Sequence, residues 1–391
     1  MAGERLAGAL AKFRKRYAAA ERSDRSLLLN EFCEVTGYHR KYAIALLRKP
    51  ADTPASGPRR RRGPAYSDAA VNVLARIWSA ADYPWSVRLK ALLPLWLPWA
   101  RKHLRGCTAE IDAELRRMSA RQMDRRLAEK KVSLKRRLYG RTKPGTLLKH
   151  HIPIKTDHWD VTEPGYCEID LVSHSGPSAS GEFLHSFNLT DIKTGWGETR
   201  SLMGKGEAGV VEALDDMRRT LPFKLKAVDS DNGSEFINHH LFRYCQKHGI
   251  QFTRGRPYKK DDNAHIEQKN WTHVRRILGW DRYDTVAQQD AMNALYKGEL
   301  RLMMNLYQPC VKLKRKERVG SKLRRVYDAA KTPLDRLIEA CGDNALPLPI
   351  QRLIALRQNE DPFTLSTRIE TKLRALYETV KKTKKTRVLS M

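Results

Sequence analysis

The sequence predicts a multidomain chain with an all-α N-terminal part, a central α/β domain and a mainly helical, basic C-terminal region. Three observations predict it. At 391 residues the chain is too long for one compact core. A Pro/Gly/Ser-rich stretch with four consecutive arginines, 50-PADTPASGPRRRRGPAYS-67, separates two helical patterns. At Tyr166 the pattern changes from helical spacing to short apolar runs of strand length. The expected divisions are 1–50, a linker 51–66, a second helical domain 67–140, the α/β domain 155–284 and the C-terminal region 285–391.

Charge sharpens this division. The chain carries 74 Lys and Arg against 44 Asp and Glu, a net charge of +30. Residues 1–150 hold 34 basic and 13 acidic side chains, whereas residues 161–300 hold 18 basic and 20 acidic. Basic flanks around a near-neutral middle suit arms that grip a polyanion by releasing its counterions. Positive charge can also serve solubility alone, but its uneven spread favours the first reading. With 41% hydrophobic residues the chain can bury real cores. Its six cysteines (Cys33, Cys107, Cys167, Cys245, Cys310, Cys341) are far apart with no CxxC pair, which argues against a zinc ribbon or a disulfide framework and suits a reducing cytoplasm. The N-terminus lacks a signal-peptide apolar core, and 91-ALLPLWLPWA-100 is too short to span a bilayer. A cytoplasmic protein with no membrane partner is therefore expected.

In residues 24–49, apolar Leu27, Leu28, Phe32 and Val35 recur at helical spacing before Thr36-Gly37-Tyr38 breaks the pattern. A second helix follows, with His39, Arg40 and Lys41 at its start and Tyr42, Ala43, Leu46 and Leu47 on one side. This is the layout of a helix-turn-helix, and its basic start favours a DNA reader over an ordinary helical hairpin. Arg59, Arg60, Arg61 and Arg62 in the linker are candidate phosphate or minor-groove contacts. Ser67 is a cap for a helix with Val71, Leu74, Ile77 and Trp78 on one face. Ser119 is a cap for another, whose Arg121 and Arg125 resemble a second recognition surface.

Downstream, 166-YCEIDLVSH-174, 182-EFLHSFNLTDIKTG-195 and 196-WGETRSLMG-204 read as strands, and 207-EAGVVEALDDMRRTL-221 as an amphipathic helix. A strand over 224–231, a helix over 235–249, a strand over 250–253, a loop and a helix over 264–279 complete the domain. Three strands, helix, strand, helix, strand, helix is the order of a ribonuclease-H-like domain. Beyond residue 285 the densest positive run is 312-KLKRKERVGSKLRR-325.

Phosphoryl transfer by two metal ions needs several carboxylates converging from rigid elements. Asp170 lies inside the first strand among Ile169, Leu171 and Val172, where a carboxylate is costly unless functional or paired. Asp231 ends the fourth strand before Asn232-Gly233, and Glu267 sits near the start of a helix after a loop. Taken singly, each has a plain alternative: a buried structural acid, a turn residue, a surface helix residue. Together, 229-DSDNGSEFIN-238 and 263-NAHIEQKNWTHVRR-276 resemble the core of retroviral integrases and integrase-like bacterial insertion-sequence transposases. That family has one aspartate in a strand, a second just before Asn-Gly, and a glutamate 35 intervening residues later; here residues 232–266 separate Asp231 from Glu267, and 60 residues separate Asp170 from Asp231. Asp229 is the nearest rival to Asp231 and is passed over because the family's aspartate immediately precedes Asn-Gly. The resemblance covers roughly residues 160–280 strongly and 300–335 more weakly.

The resemblance implies that Asp170, Asp231 and Glu267 hold two Mg²⁺ or Mn²⁺ ions. It implies a transposase that binds the terminal repeats of a mobile element, cleaves DNA, and joins 3′-hydroxyl ends to target DNA as a homo-oligomer. The paired His and Cys spacing of the viral zinc module is missing, so no zinc is expected. Lys259, Lys260, Lys269, Asn270 and Arg275 are candidate DNA contacts near the site, with a solvated helix face as the alternative. Two rival readings are an inactive, transposase-derived DNA-binding regulator and a nuclease with the same core.

Overall fold

The computed structural model describes residues 2–48, 66–131, 161–230, 236, 239–254, 264–319 and 322–389. The chain divides into two compact units, Met1–Ala65 and Tyr66–Met391.

The first unit holds α1 (Ala2–Ala19), α2 (Arg22–Thr36) and α3 (Arg40–Leu47). Gly37 takes a left-handed conformation (φ 68°) and its N–H caps α2 on the Cys33 carbonyl, the turn chemistry that glycine permits. Leu29, Phe32, Ala43 and Leu47 form its core, with Leu10, Phe13 and Tyr17 of α1 packed against them. Leu27 and Val35, expected on the apolar face, are 68% and 70% exposed. The buried stripe is set one position along, at Leu29, because that is the side α1 covers.

In the second unit, α4 (Asp68–Ala80) is capped by Ser67, whose Oγ accepts from the Ala70 N–H. α5 (Ser86–His103), α6 (Ala109–Arg117) and α7 (Ala120–Arg126) follow, and Ser119 caps α7 by accepting from the Gln122 N–H. Burial of Leu74, Ile77, Trp78, Leu93 and Trp96 makes these helices part of one continuous core with the sheet.

The central sheet contains β1 (Tyr166–Ser173), β2 (Leu184–Asp191), β3 (Gly197–Met203), β4 (Ala227–Ser230) and β5 (Gln251–Arg254), in spatial order β3-β2-β1-β4-β5. β1, β2 and β3 form an antiparallel meander, while β4 and β5 run parallel to β1. The parallel pairings need crossovers, supplied by α8 (Glu207–Thr220) between β3 and β4 and α9 (His239–Lys247) between β4 and β5. β2 is buried along its whole length.

After β5, α10 (Ala264–Lys269) runs directly into a π-helical turn (Asn270–Arg275) and α11 (Arg276–Leu278). α12 (Val286–Leu295) and two more π-helical turns (Tyr296–Leu300, Met303–Tyr307) lead to a hairpin, β6 (Leu313–Val319) and β7 (Lys322–Tyr327), then α13 (Pro333–Ala340), α14 (Leu348–Asn359) and α15 (Pro362–Leu389). The C-terminal region is helical apart from this hairpin, which occupies the basic run that the sequence left without a strand assignment. Among the described residues, no helix is long and apolar enough to cross a membrane.

Candidate active site

β1 and β4 bring three acids to one face of the sheet. Alternate strand residues share a face, so Glu168 and Asp170 point the same way, and the parallel register sets Asp229 of β4 directly beside Glu168. Each has its own environment. Glu168 is 2% exposed and its Oε2 accepts the Ile266 N–H at 2.8 Å. A buried carboxylate held this way anchors the first turn of α10, where backbone N–H groups lack helical partners. Asp229 is half-buried and its Oδ1 accepts from Thr253 Oγ1 of β5 at 2.7 Å.

Asp170 is half-buried. Its Oδ2 accepts from Asn270 Nδ2 at 2.5 Å, and its Oδ1 accepts the Leu171 N–H at 2.7 Å. The Asn270 carbonyl oxygen in turn accepts from Asn188 Nδ2 on β2, and Asn188 Oδ1 accepts from Thr199 Oγ1 on β3 at 2.8 Å. The register explains the chain: Asp170 pairs with Asn188 and Asn188 with Thr199, so the three lie in one row across the sheet. Each amide in this row uses its N–H as a donor and its oxygen as an acceptor, which fixes both amide orientations and the direction of the carboxylate.

Asn270 opens the π-helical turn at the end of α10. Its bond to Asp170 therefore ties to β1 the helix on which Glu267 sits three residues earlier. Asp231 follows Ser230, the last residue of β4, and lies outside the described residues, as do Lys259, Lys260 and Arg59 to Arg62. Among the described residues, no three His, Cys, Asp or Glu side chains are close enough to hold a metal ion. The structure thus brings Asp170 to the helix of Glu267, and β1 beside the strand that leads into Asp231.

The remaining expected residues are placed as follows. His39 caps α3 by accepting the Lys41 N–H at 3.4 Å, and His39, Arg40 and Lys41 are all exposed. Arg40 also donates to Ser26 Oγ at 2.9 Å. Arg121 and Arg125 are exposed on α7. Lys269 is half-buried with its Nζ 3.4 Å from His273 Nε2. Burial pushes its pKa down; the nearby Cys310 opposes this, and Arg88 and Arg336 reinforce it. Burial, then Lys269 and Arg88, push His273 well below the usual histidine value. Arg275 lies over the Trp280 ring, 4.2 Å from its centroid, with Trp280 47% exposed. Asn270 is committed to Asp170 and Asn188, an arrangement the sequence reading did not foresee.

Glu168 and Asn188 were also not singled out from the sequence. Glu168 carried the same signal as Asp170, an acid in an apolar strand two residues away. Asn188 had none, because its partners are distant in sequence.

No family model matches the chain. It belongs to the same family as the "Uncharacterized protein y4rM" of Sinorhizobium fredii (strain NBRC 101917 / NGR234), with 37% identity over 324 residues, covering 82% of this chain and 92% of that protein. Among solved structures, a chain of the simian T-cell lymphotropic virus intasome in complex with PP2A regulatory subunit B56 gamma is 15% identical, covering 33% of this chain and 42% of that one, with a TM-score of 0.27. The catalytic core domain of BIV integrase is 16% identical, covering 45% of this chain and 95% of that one, with a TM-score of 0.30.

Proposed function

We propose that this chain is a DNA transposase of the integrase type, with a ribonuclease-H-like core in which Asp170, Asp231 and Glu267 are the catalytic carboxylates. The observation that carries this reading is the Asn270–Asp170 hydrogen bond, which joins the strand and the helix bearing two of the three acids. The third, Asp231, is one peptide bond beyond Ser230, and Ser230 pairs with Ile169, the residue before Asp170. The Asp–Asn–Gly and glutamate spacing supports the same three residues.

Asp170 offers hard oxygen donors at a half-exposed position, a donor chemistry that suits Mg²⁺ or Mn²⁺. Two such ions, when bound, would lower the pKa of an attacking water or 3′-hydroxyl and offset charge at phosphorus. The protein's own contribution is positional. Asn270 and Asn188 aim the Asp170 carboxylate, and Glu168 fixes the start of the helix bearing Glu267. α2 and α3 would read the terminal repeats as a helix-turn-helix, with His39, Arg40 and Lys41 toward the major groove. Arg121 and Arg125 of α7 would add a second contact. Joining two ends at once calls for a homo-oligomer on DNA.

The test is nicking of DNA that carries the mobile element's ends, in Mg²⁺. The expected result is cleavage by the wild type that chelation abolishes and Asp170→Asn lacks, with DNA binding retained. Equal nicking by Asp170→Asn would refute the assignment.

A further inference from the structure

The β6–β7 hairpin forms a two-stranded sheet of its own. Such a ribbon is marginally stable by itself, and this one carries seven basic residues and one acidic residue. Its register sets Lys316 opposite Arg325. Arg318 follows on the same face, opposite Leu323, so this face has no acidic position. The single acid, Glu317, belongs to the other face, where it pairs with Arg315 at 2.6 Å. Lys314, Arg315, Arg318, Arg324 and Arg325 are exposed.

The base is built differently. Cys310 and Lys331 bridge the two arms through backbone hydrogen bonds. Asp328 accepts from the Lys312 N–H at 2.7 Å and pairs with Arg336 at 2.6 Å. Lys312 turns inward, its ammonium donating to the carbonyls of Ile192 and Lys193 in the β2–β3 turn. Asp328 thus fastens the base to α13 and Lys312 fastens it to the β2–β3 turn, while the shaft keeps its positive charge. Asp191, at the start of that turn, pairs with Cys167, three residues before Asp170 on β1. At ~3.3 Å per residue, the ribbon is rooted about 10 Å along the strand from the candidate site.

We propose that the β6–β7 ribbon is a duplex-DNA contact, its Lys314, Arg318 and Arg325 neutralising backbone phosphates of DNA that extends past the candidate site. A two-stranded ribbon fits the major groove, and at six to seven residues this one would follow about six base pairs. The inference rests on the transposase reading for the identity of the polyanion.

The experiment measures binding of the full chain to a duplex of about 40 bp by fluorescence anisotropy, between about 50 and 300 mM salt. K314Q/R318Q/R325Q is expected to flatten the slope of log affinity against log salt by about two to three, at ~0.9 per lost phosphate contact. The charge-preserving K314R/R318K/R325K should restore the slope, which separates charge from a folding defect. R243Q/K247Q/R352Q, with exposed basic residues elsewhere, should leave it near the wild-type value. An unchanged slope in the ribbon variant overturns the proposal, as does an equal loss in the control. A single-stranded RNA bound more tightly than the duplex, with the same loss, also overturns it. If the wild type shows no salt-dependent duplex binding, the transposase reading fails instead.

Discussion

Asp170 owes its direction to two amides. A carboxylate on a strand can rotate about its side-chain bonds, and Asn270 removes that freedom by donating to Oδ2 while Asn188 holds Asn270 in place. Partners that orient a ligating group typically affect activity by about 10–100-fold when removed. Asn270→Ala is accordingly expected to lower the single-turnover cleavage rate by about that factor, with DNA affinity little changed. Unaltered cleavage would detach Asn270 from the site. A second residue-scale effect concerns acid stability. His174 is fully buried, and burial, followed by the charges of Arg275 and His185, lowers its pKa from 6.5 to about 3. Its Nε2 lies 2.7 Å from Ser186 Oγ, and among the described residues Nδ1 has no hydrogen-bond partner. Between pH 6.5 and 3 the unfolded chain binds a proton here that the folded chain refuses, so stability is full above 6.5 and falls as pH drops through this window. From pH 7 to 5 the loss is about 2 kcal/mol. Urea unfolding at both pH values should show that slope shrinking by this amount in His174→Gln; an undiminished slope would place the acid sensitivity elsewhere.

At the scale of elements, β1 enters the sheet through Gly165. Its φ is 113°, and a Cβ there would meet the Lys224 carbonyl oxygen at 2.4 Å. Its carbonyl also accepts from the Lys226 and Ala227 N–H groups, joining the start of β1 to β4. Gly165→Ala combines backbone strain with a clash and is expected to cost about 1–3 kcal/mol, seen as a lower urea midpoint. A wild-type midpoint would mean that the entry relaxes without loss. The strands were legible in the sequence as short runs between turn residues, with Glu168 and Asp170 as acids inside the otherwise apolar β1. The β6–β7 hairpin was not, since a nearly continuous run of Lys and Arg shows no alternation of apolar and polar residues. The apolar face of α2 was misplaced because Leu27, Leu28 and Leu29 are consecutive, and only α1 decides which of them is buried. The polar row from Thr199 to Asp170 depends on strand register, which single-sequence periodicity does not supply.

For the whole molecule, the uneven charge was visible from composition: the segment that forms the sheet is near neutral and the segments before and after it in the sequence are basic. The sharing of one core by α4, α5 and the sheet was not, because the helices' apolar faces do not announce their partner. The proposed acid triad rests on spacing in the sequence; among the described residues the fold sets β1 beside β4 and ties α10 to β1 through Asn270. The most direct measurement of this account is strand transfer by the purified chain in Mg²⁺, joining labelled DNA with the element's native ends to a supercoiled target. The account predicts joined products from the wild type and none from Asp231→Asn or Glu267→Gln, both of which still bind DNA. Joined products of wild-type yield from either variant would contradict the central claim.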